Sequence, residues 1–340
     1  MRERHDFFSD NTAGICPEAL AAFAAANAGF VPSYGADRLT AQAADAVRAL
    51  LDADAEVRFV STGTVANAIA CATLCPSAGA VLAYEQAHIL IHEAGAPSFF
   101  GGGLEIEPLA GIDSRIEPAA LDHALARPRG PHERRPAALS LTNATEYGTV
   151  YDEAMLARLC GPAKDAGLGI HLDGARLANA VAAGFDPRAL TRAGIDIVVL
   201  GGSKAGAPFS EAIVLLDTSL ARGFDERLRR SGQLTSKMRL LAAPWIGLLD
   251  GAGDDCPWIA HARHANAMAR RLADGLPFAR AYPVESNAVF VTMDGARESA
   301  LAARGWRFAR FEDRSARFVC SWATSKEAVD ALIADARDIG

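Results

Sequence analysis

Between about residue 56 and residue 217, short apolar runs alternate with segments of helical period. The runs at 56–61, 80–83, 104–109, 137–142, 168–172, 195–200 and 212–216 read as strands. The last three show no polar alternation, the pattern of strands covered on both faces. Helices are predicted over 63–74, beginning at a glycine, and over 152–166. Strand and helix alternating in this way predict an α/β fold whose large domain has a mostly parallel sheet with helices on both sides. In such sheets ligands sit beyond the carboxyl ends of the strands. Thr64, Asp173 and Lys204 each follow an apolar run, so three loops are expected to face one crevice.

The final hundred residues change rhythm. Segments 236–249 and 258–272 look helical, and Ala288–Thr292, 306–311 and 317–320 look like short strands. A last helix near Ser325 carries Val329, Leu332 and Ile333 on its apolar side. These features predict a smaller C-terminal α+β domain, with the chain divided into 1–245 and 246–340. No internal repeat stands out.

Composition narrows the function classes. The 340 residues carry a net charge of −7, and the one basic cluster, 127–135, is interrupted by prolines and Gly130. A solvated loop fits it better than a nucleic-acid surface. No apolar stretch approaches the ~18 residues of a membrane span, and the first residues include acidic side chains rather than a basic, apolar leader. The six cysteines form no CxxC pair, and Cys71 and Cys75 lack nearby histidines. Buried thiols, no metal centre and a reduced, cytoplasmic protein are the expectation.

Candidate chemistry centres on Val198-Val-Leu-Gly-Gly-Ser-Lys204-Ala-Gly206, an apolar run that delivers one lysine onto a loop of small residues. Desolvation disfavours the charged form of an amine and leaves it nucleophilic, able to form a Schiff base. About thirty residues upstream, another apolar run ends in Asp173-Gly-Ala-Arg176. Its carboxylate could keep a pyridine nitrogen protonated, which is the other half of a pyridoxal phosphate site. Ser61-Thr-Gly-Thr64 lies between strand and helix, where backbone N–H groups can approach a phosphate. His88, just past a strand end, suits stacking on a planar ring or moving protons, whereas His92 reads as a helix-surface residue. His171 should share a side of its strand with Asp173, with no third metal ligand near in sequence. Arg176 is either a surface arginine at a helix start or part of the crevice. Arg317 could pair with a substrate carboxylate, although position alone does not separate it from Arg307, Arg310 or Arg314.

Together these blocks resemble the L-threonine aldolases, a branch of the β-eliminating lyase group within the fold-type I, aspartate aminotransferase-like enzymes that depend on pyridoxal phosphate. The resemblance runs from Phe8-Ser-Asp-Asn-Thr-Ala-Gly-Ile-Cys-Pro17 to Arg317-Phe-Val-Cys-Ser-Trp322. It includes Tyr34-Gly-Ala-Asp37, Gly63-Thr-Val-Ala-Asn67, Glu93-Ala-Gly-Ala-Pro97, His171-Leu-Asp-Gly-Ala-Arg176 and Gly201-Gly-Ser-Lys204. The stretch Gly232-Gln-Leu-Thr-Ser-Lys-Met-Arg239 is similar to the bacterial low-specificity and phenylserine-type members.

The resemblance implies cleavage of threonine, allo-threonine or another β-hydroxy-α-amino acid, such as phenylserine, to glycine and an aldehyde. It implies Lys204 as the Schiff-base lysine, Asp173 on the pyridine nitrogen, Arg176 near the ring hydroxyl or a carboxylate, Gly63 and Thr64 on the phosphate, and His88 stacked on the ring. Ser9 and Arg317 would hold the substrate carboxylate. Tyr34, with Lys237, would reach into a neighbouring subunit of a homodimer or homotetramer. Two positions depart from the family pattern. Glu146 in Asn143-Ala-Thr-Glu146 stands where many members carry a histidine facing the substrate hydroxyl, which makes it a second candidate base. Ser210 replaces a usual glycine after the lysine loop. A β-eliminating lyase or aminotransferase on the same scaffold stays open, as does a cofactor-free binding protein.

Overall fold

The computed structural model describes residues 3–251, 253–311 and 313–339. Its strands in the first part are β1 (Glu56–Val60), β2 (Gly79–Tyr84), β3 (Glu105–Leu109), a small hairpin of β4 (Gly111–Ile112) and β5 (Arg115–Ile116), then β6 (Arg135–Thr142), β7 (Gly169–Gly174), β8 (Ile197–Gly201) and β9 (Glu211–Leu215). Seven of them form one sheet in the order β1-β9-β8-β7-β6-β2-β3. Only β9 runs antiparallel to its neighbours β1 and β8; the other pairs are parallel. The mostly parallel α/β sheet expected from the sequence is therefore present.

Every residue of β8 and β9 is buried, as the unbroken apolar runs require of strands with helices on both faces. Each fully buried Leu, Ile or Val there contributes about 2 kcal/mol by leaving water. The helix Gly63–Leu74 starts where Thr62 caps it, the Thr62 hydroxyl accepting from the Val65 N–H at 3.3 Å. Its Ala66, Ala68, Ala70 and Cys71 are buried, and such small side chains let the helix lie close to the sheet.

The last part contains β10 (Ala279–Arg280), β11 (Ala288–Thr292), β12 (Ala309–Arg310) and β13 (Ala316–Val319), an antiparallel sheet in the order β10-β11-β13-β12. Helices Pro257–Gly275 and Lys326–Ile339 supply Leu272, Val329 and Leu332 to a second core with Val289, Val291 and Phe318. The strand expected over 306–311 shrinks to Ala309–Arg310. Trp306 makes only an isolated bridge to Arg4, because its buried ring lies under the Arg4 guanidinium and its Nε1–H donates to Asp335 at 2.7 Å.

Residues 245 and 246 fall inside one helix, Met238–Leu248. The first core continues through Trp258 and Ala262, and the second begins at Ala269 of the same helix Pro257–Gly275. Phe7 also lies in the second core, and its carbonyl accepts from the Val319 N–H at 2.9 Å. The N-terminal segment is thus fastened to the small sheet first. It returns to the large sheet at Cys16, whose N–H donates to the Gly206 carbonyl at 2.9 Å.

The basic cluster is neutralised locally. Arg129 pairs bidentately with Glu107 at 2.6 and 2.9 Å, Arg127 with Glu133, and Arg134 with Glu105 at 3.1 Å. All six cysteines are buried and free. No helix among the described residues is long and apolar enough to cross a membrane.

Candidate active site

The carboxyl ends of β1, β2, β6, β7 and β8, and the first residue of the reversed β9, all open on one cavity of about 620 Å³. From these ends come Gly63 and Thr64, His88, Glu146, Asp173, Lys204 and Glu211. The N-terminal segment adds Ser9, and the small sheet adds Phe311 and Arg317. The three loops expected to share a crevice do share it.

Asp173 is 3 % exposed at the end of β7. One oxygen accepts from the Ala175 N–H at 2.9 Å and the other from the Asn67 side-chain amide at 2.8 Å. The same Asn67 nitrogen donates to Glu93 Oε1 at 2.9 Å, and that oxygen lies 2.9 Å from His88 Nδ1. A continuous chain, Asp173–Asn67–Glu93–His88, therefore forms the cavity floor, with Asp173, Asn67 and His88 lining it and Glu93 behind them. Burial lowers the His88 pKa, but the Glu93 hydrogen bond and the charges of Asp173 and Glu93 outweigh it, so the net direction is upward. Burial raises the Glu93 pKa, with the Asp173 charge acting the same way against the His88 and Asn67 hydrogen bonds. Behind the floor, His171 is fully buried with Nδ1 2.9 Å from the Ser140 hydroxyl. Burial pushes its pKa down, against the pull of Asp173, and so favours the neutral ring.

The opposite wall is built on arginines. Arg176 donates to both oxygens of Asp10, at 2.7 and 2.9 Å. Asn287, just before β11, donates to the same carboxylate at 3.1 Å. Burial pushes the Asp10 carboxyl up, but the charge and hydrogen bonds of Arg176, with Lys204 and Asn287, more than offset it and hold the pKa near about 2. Arg176 is thus in the cavity wall rather than on the surface, and its carboxylate partner is Asp10. Arg317 differs: it reaches the Phe8 carbonyl at only 3.4 Å, its Nε is buried without a partner among the described residues, and its guanidinium lies over the Phe311 ring. Burial and the Arg176 charge bring its pKa down to about 10, against the pull of Asp10. A desolvated cation with unused donors is poised to take an anion. Arg307, by contrast, pairs with Glu3 at 2.6 Å, and Arg310 with Glu298; Arg310 still lines the cavity.

Lys204 sits half-buried in the short turn Ser203–Ala205. Glu211, 6 % exposed, braces that turn by accepting the Gly202 N–H at 2.7 Å. Burial raises its pKa, while the nearby Lys204 charge pulls it down. A Cβ at Gly202 would stand 2.3 Å from the Ser210 carbonyl oxygen, so this approach requires glycine. Ser210 itself does not line the cavity: its hydroxyl donates to the Leu241 carbonyl at 2.7 Å and accepts from Trp245 Nε1 at 2.8 Å. The departure at Ser210 therefore changes the brace behind the lysine loop.

Glu146 Oε1 accepts from the His88 N–H at 2.9 Å and from the Thr142 hydroxyl at 3.0 Å. Burial raises its pKa, assisted by Asp173 and opposed by these donors. His92, read from sequence as a helix-surface residue, is exposed but stands at the cavity mouth between the His88 and Phe311 rings, 5.5 and 6.1 Å away. Ser61, in the loop before the helix, is already engaged: its N–H and hydroxyl both donate to Gln233, at 2.9 Å each. Tyr34 and Lys237 do not line this cavity. Tyr34 is 47 % exposed, and Lys237 begins the helix Met238–Leu248.

Asp10, Asn67, Glu93, Glu211 and Gln233 were not singled out from the sequence. Asp10, Asn67, Glu93 and Gln233 lie inside the quoted blocks, but only their pairing over long sequence distances gives them meaning. Glu211 had one local signal, an acid opening an otherwise apolar run.

An open, mostly parallel sheet whose strand ends bring a lysine and a buried aspartate to one cavity defines the class: the chain belongs to the beta-eliminating lyase family, whose profile matches residues 6–297. Within that class its relatives are narrower. It is 41% identical over 344 residues to the low specificity L-threonine aldolase of Pseudomonas sp. strain NCIMB 10558, covering 99% of this chain and 98% of that one. With the low specificity L-threonine aldolase of Pseudomonas aeruginosa it shares 43% identity over 338 residues, 97% of this chain and 96% of the other. Among solved structures, a threonine aldolase of Leishmania major superposes with a TM-score of 0.91 at 28% identity, covering 98% and 99% of the two chains. The architecture is the fold-type I arrangement that the sequence resemblance implied.

Proposed function

We propose that this enzyme cleaves L-threonine, L-allo-threonine or a related β-hydroxy-α-amino acid to glycine and an aldehyde, with pyridoxal phosphate as its cofactor. The observation that carries the reading is the convergence on one cavity of Lys204, Asp173 and Arg317, which makes no ion pair among the described residues. The residues fit the cofactor. Space at Gly63 is open: beyond its chain neighbours and its own helix backbone, no atom of the described residues lies within 4 Å of where a Cβ would stand, which leaves the N-terminus of the helix Gly63–Leu74 accessible to a phosphate. Asp173 is a buried carboxylate suited to a protonated ring nitrogen.

Lys204 would hold the cofactor covalently, Asp173 would pair with its ring nitrogen, Gly63 and Thr64 would bind its phosphate, and His88 would stack on its ring. Arg176, fixed by Asp10, would keep its remaining donors for the ring hydroxyl. When bound, the cofactor supplies an electron-withdrawing ring that accepts the electron pair of the broken Cα–Cβ bond. Arg317 and Ser9 grip the substrate carboxylate, which fixes the Cα substituents and so selects which bond breaks. Glu146 accepts a hydrogen bond from the β-hydroxyl, and His88 removes its proton as the aldehyde departs. This pair of proton acceptors beside the cavity favours carbon–carbon cleavage over elimination or transamination on the same scaffold.

The assembly belongs to the same proposal: a cytoplasmic homodimer or homotetramer in which Tyr34 and Lys237 reach a neighbouring subunit's cavity. The exposure of Tyr34 and the fully exposed Phe30 close by support it. The decisive test is Lys204→Ala. Expected are loss of the visible absorbance of bound cofactor and a fall in glycine and aldehyde release of at least about 1000-fold. Pyruvate and ammonia as the wild-type products, or full activity in the variant, would overturn the reading.

A further inference from the structure

Glu93 is an acid behind the cavity lining with its side chain 0% exposed, yet no step above uses it. Its two oxygens are unequal. Oε1 takes both the Asn67 amide and His88 Nδ1 at 2.9 Å, while Oε2 is buried with no partner among the described residues. Asn67 in turn bonds Asp173 at 2.8 Å, so one amide nitrogen sets the spacing between two carboxylates. A carboxylate oxygen facing Nδ1 makes Nδ1 the protonated ring nitrogen and leaves the Nε2 lone pair as the free one. Resting on the reading above, we infer that Glu93, held in place by Asn67, is a positioning residue that fixes the tautomer and ring orientation of His88, so that Nε2 receives the proton of the substrate's β-hydroxyl. The logic matches that of a buried carboxylate behind a catalytic histidine, here linked through Asn67 to the aspartate that faces the cofactor.

The groups around His88 bound the interpretation of any pH effect. Glu93 and Asp173 favour its protonated form, Lys204 disfavours it, Glu146 takes its backbone N–H, and His92 packs beside its ring. The asymmetry of Glu93 also supplies a clean probe. In Glu93→Gln the amide oxygen can occupy the Oε1 position and keep both hydrogen bonds, so charge is lost but orientation is kept. Glu93→Ala loses both. In the holoenzyme, Glu93→Gln should keep plateau kcat within about 5-fold. The acid limb of its kcat/KM profile, and the His88 titration followed by NMR, should both move to lower pH, because an anion that favours imidazolium has gone. Glu93→Ala should lose about 100-fold in kcat while cofactor absorbance is kept.

An acid limb and an NMR titration that do not move in Glu93→Gln would overturn the inference, as would Glu93→Ala turning over at the wild-type rate. If Glu93→Ala loses its cofactor, the titration in Glu93→Gln decides alone. Wild-type enzyme that releases no aldehyde would instead remove the reading on which the inference rests.

Discussion

The cavity has two banks made by different means. On the floor, Asp173 comes from the end of β7, Asn67 from the helix after β1, and His88 and Glu93 from the segment after β2, with one amide joining the two acids. On the facing wall, Asp10, Arg176 and Asn287 come from the N-terminal segment, the large sheet and the small sheet and meet at one carboxylate, while Arg317 lies close enough to feel the charges of Asp10 and Arg176. On the floor, the Asp173 charge disfavours ionisation of Glu93. On the wall, the Arg176 charge disfavours the cationic form of Arg317. An acid-rich floor suits a cationic ring nitrogen, and a cation-rich wall suits a substrate carboxylate. In the proposed reaction the two banks would together orient an amino acid on its cofactor before any bond breaks.

The largest effect that tests this division is expected from Arg317→Leu. If the wall serves the substrate and not the cofactor, kcat/KM should fall by about 100-fold, close to 3 kcal/mol of lost charge-assisted binding. Most of that should appear in KM, with cofactor absorbance retained. Loss of cofactor in this variant would break the division by assigning Arg317 to the floor.

The two banks also differed in how far the sequence disclosed them. The floor follows the local grammar of α/β proteins: an apolar strand ends, and the next residues face the crevice. Thr64, His88, Asp173 and Lys204 could be found one loop at a time for that reason. The bonds between them could not, because Asn67 and Asp173 are 106 positions apart and nothing local marks an amide that bridges two acids. The wall was harder. Arg176 could be read as surface because its partner Asp10 lies 166 positions upstream. Arg317 was separable from Arg307 and Arg310 only once their partners Glu3 and Glu298 were visible. The strand expected over 306–311 failed similarly, since Trp306 is held by Arg4 and Asp335 rather than by its neighbours.

A smaller effect should come from the carboxylate that organises the wall. Against burial, the charge and hydrogen bonds of Arg176 hold the Asp10 pKa below the usual aspartate range, at about 2. Its stabilisation is therefore complete above about pH 4 and is lost as pH falls through about 2, a contribution of about 2 kcal/mol. Acid titration of the wild type should show a loss of stability within that window. In Asp10→Asn the window should vanish and stability at neutral pH should be lower by a similar amount, because Arg176 then lacks its counter-ion. If the acid profile is unchanged, the wall is held by packing around Phe7 and Cys16 instead of by this carboxylate.

The smallest effect concerns the brace behind Lys204, which belongs to neither bank. Ser210→Gly introduces the residue usual in the family that the sequence resembles. It leaves the Trp245 Nε1–H and the Leu241 carbonyl without the hydroxyl that now bonds both, at 2.8 and 2.7 Å. Stranding these buried groups should cost about 1 kcal/mol, or a few degrees in Tm for a chain of this size. The cavity sees none of this directly: Ser210 does not line it, and the Lys204 turn is also held by Glu211 on the Gly202 N–H. Turnover and cofactor absorbance should therefore match the wild type while Tm falls. A several-fold change in kcat would mean that the lysine loop transmits the state of the Trp245 brace into the cavity, and the two banks would then need a third support.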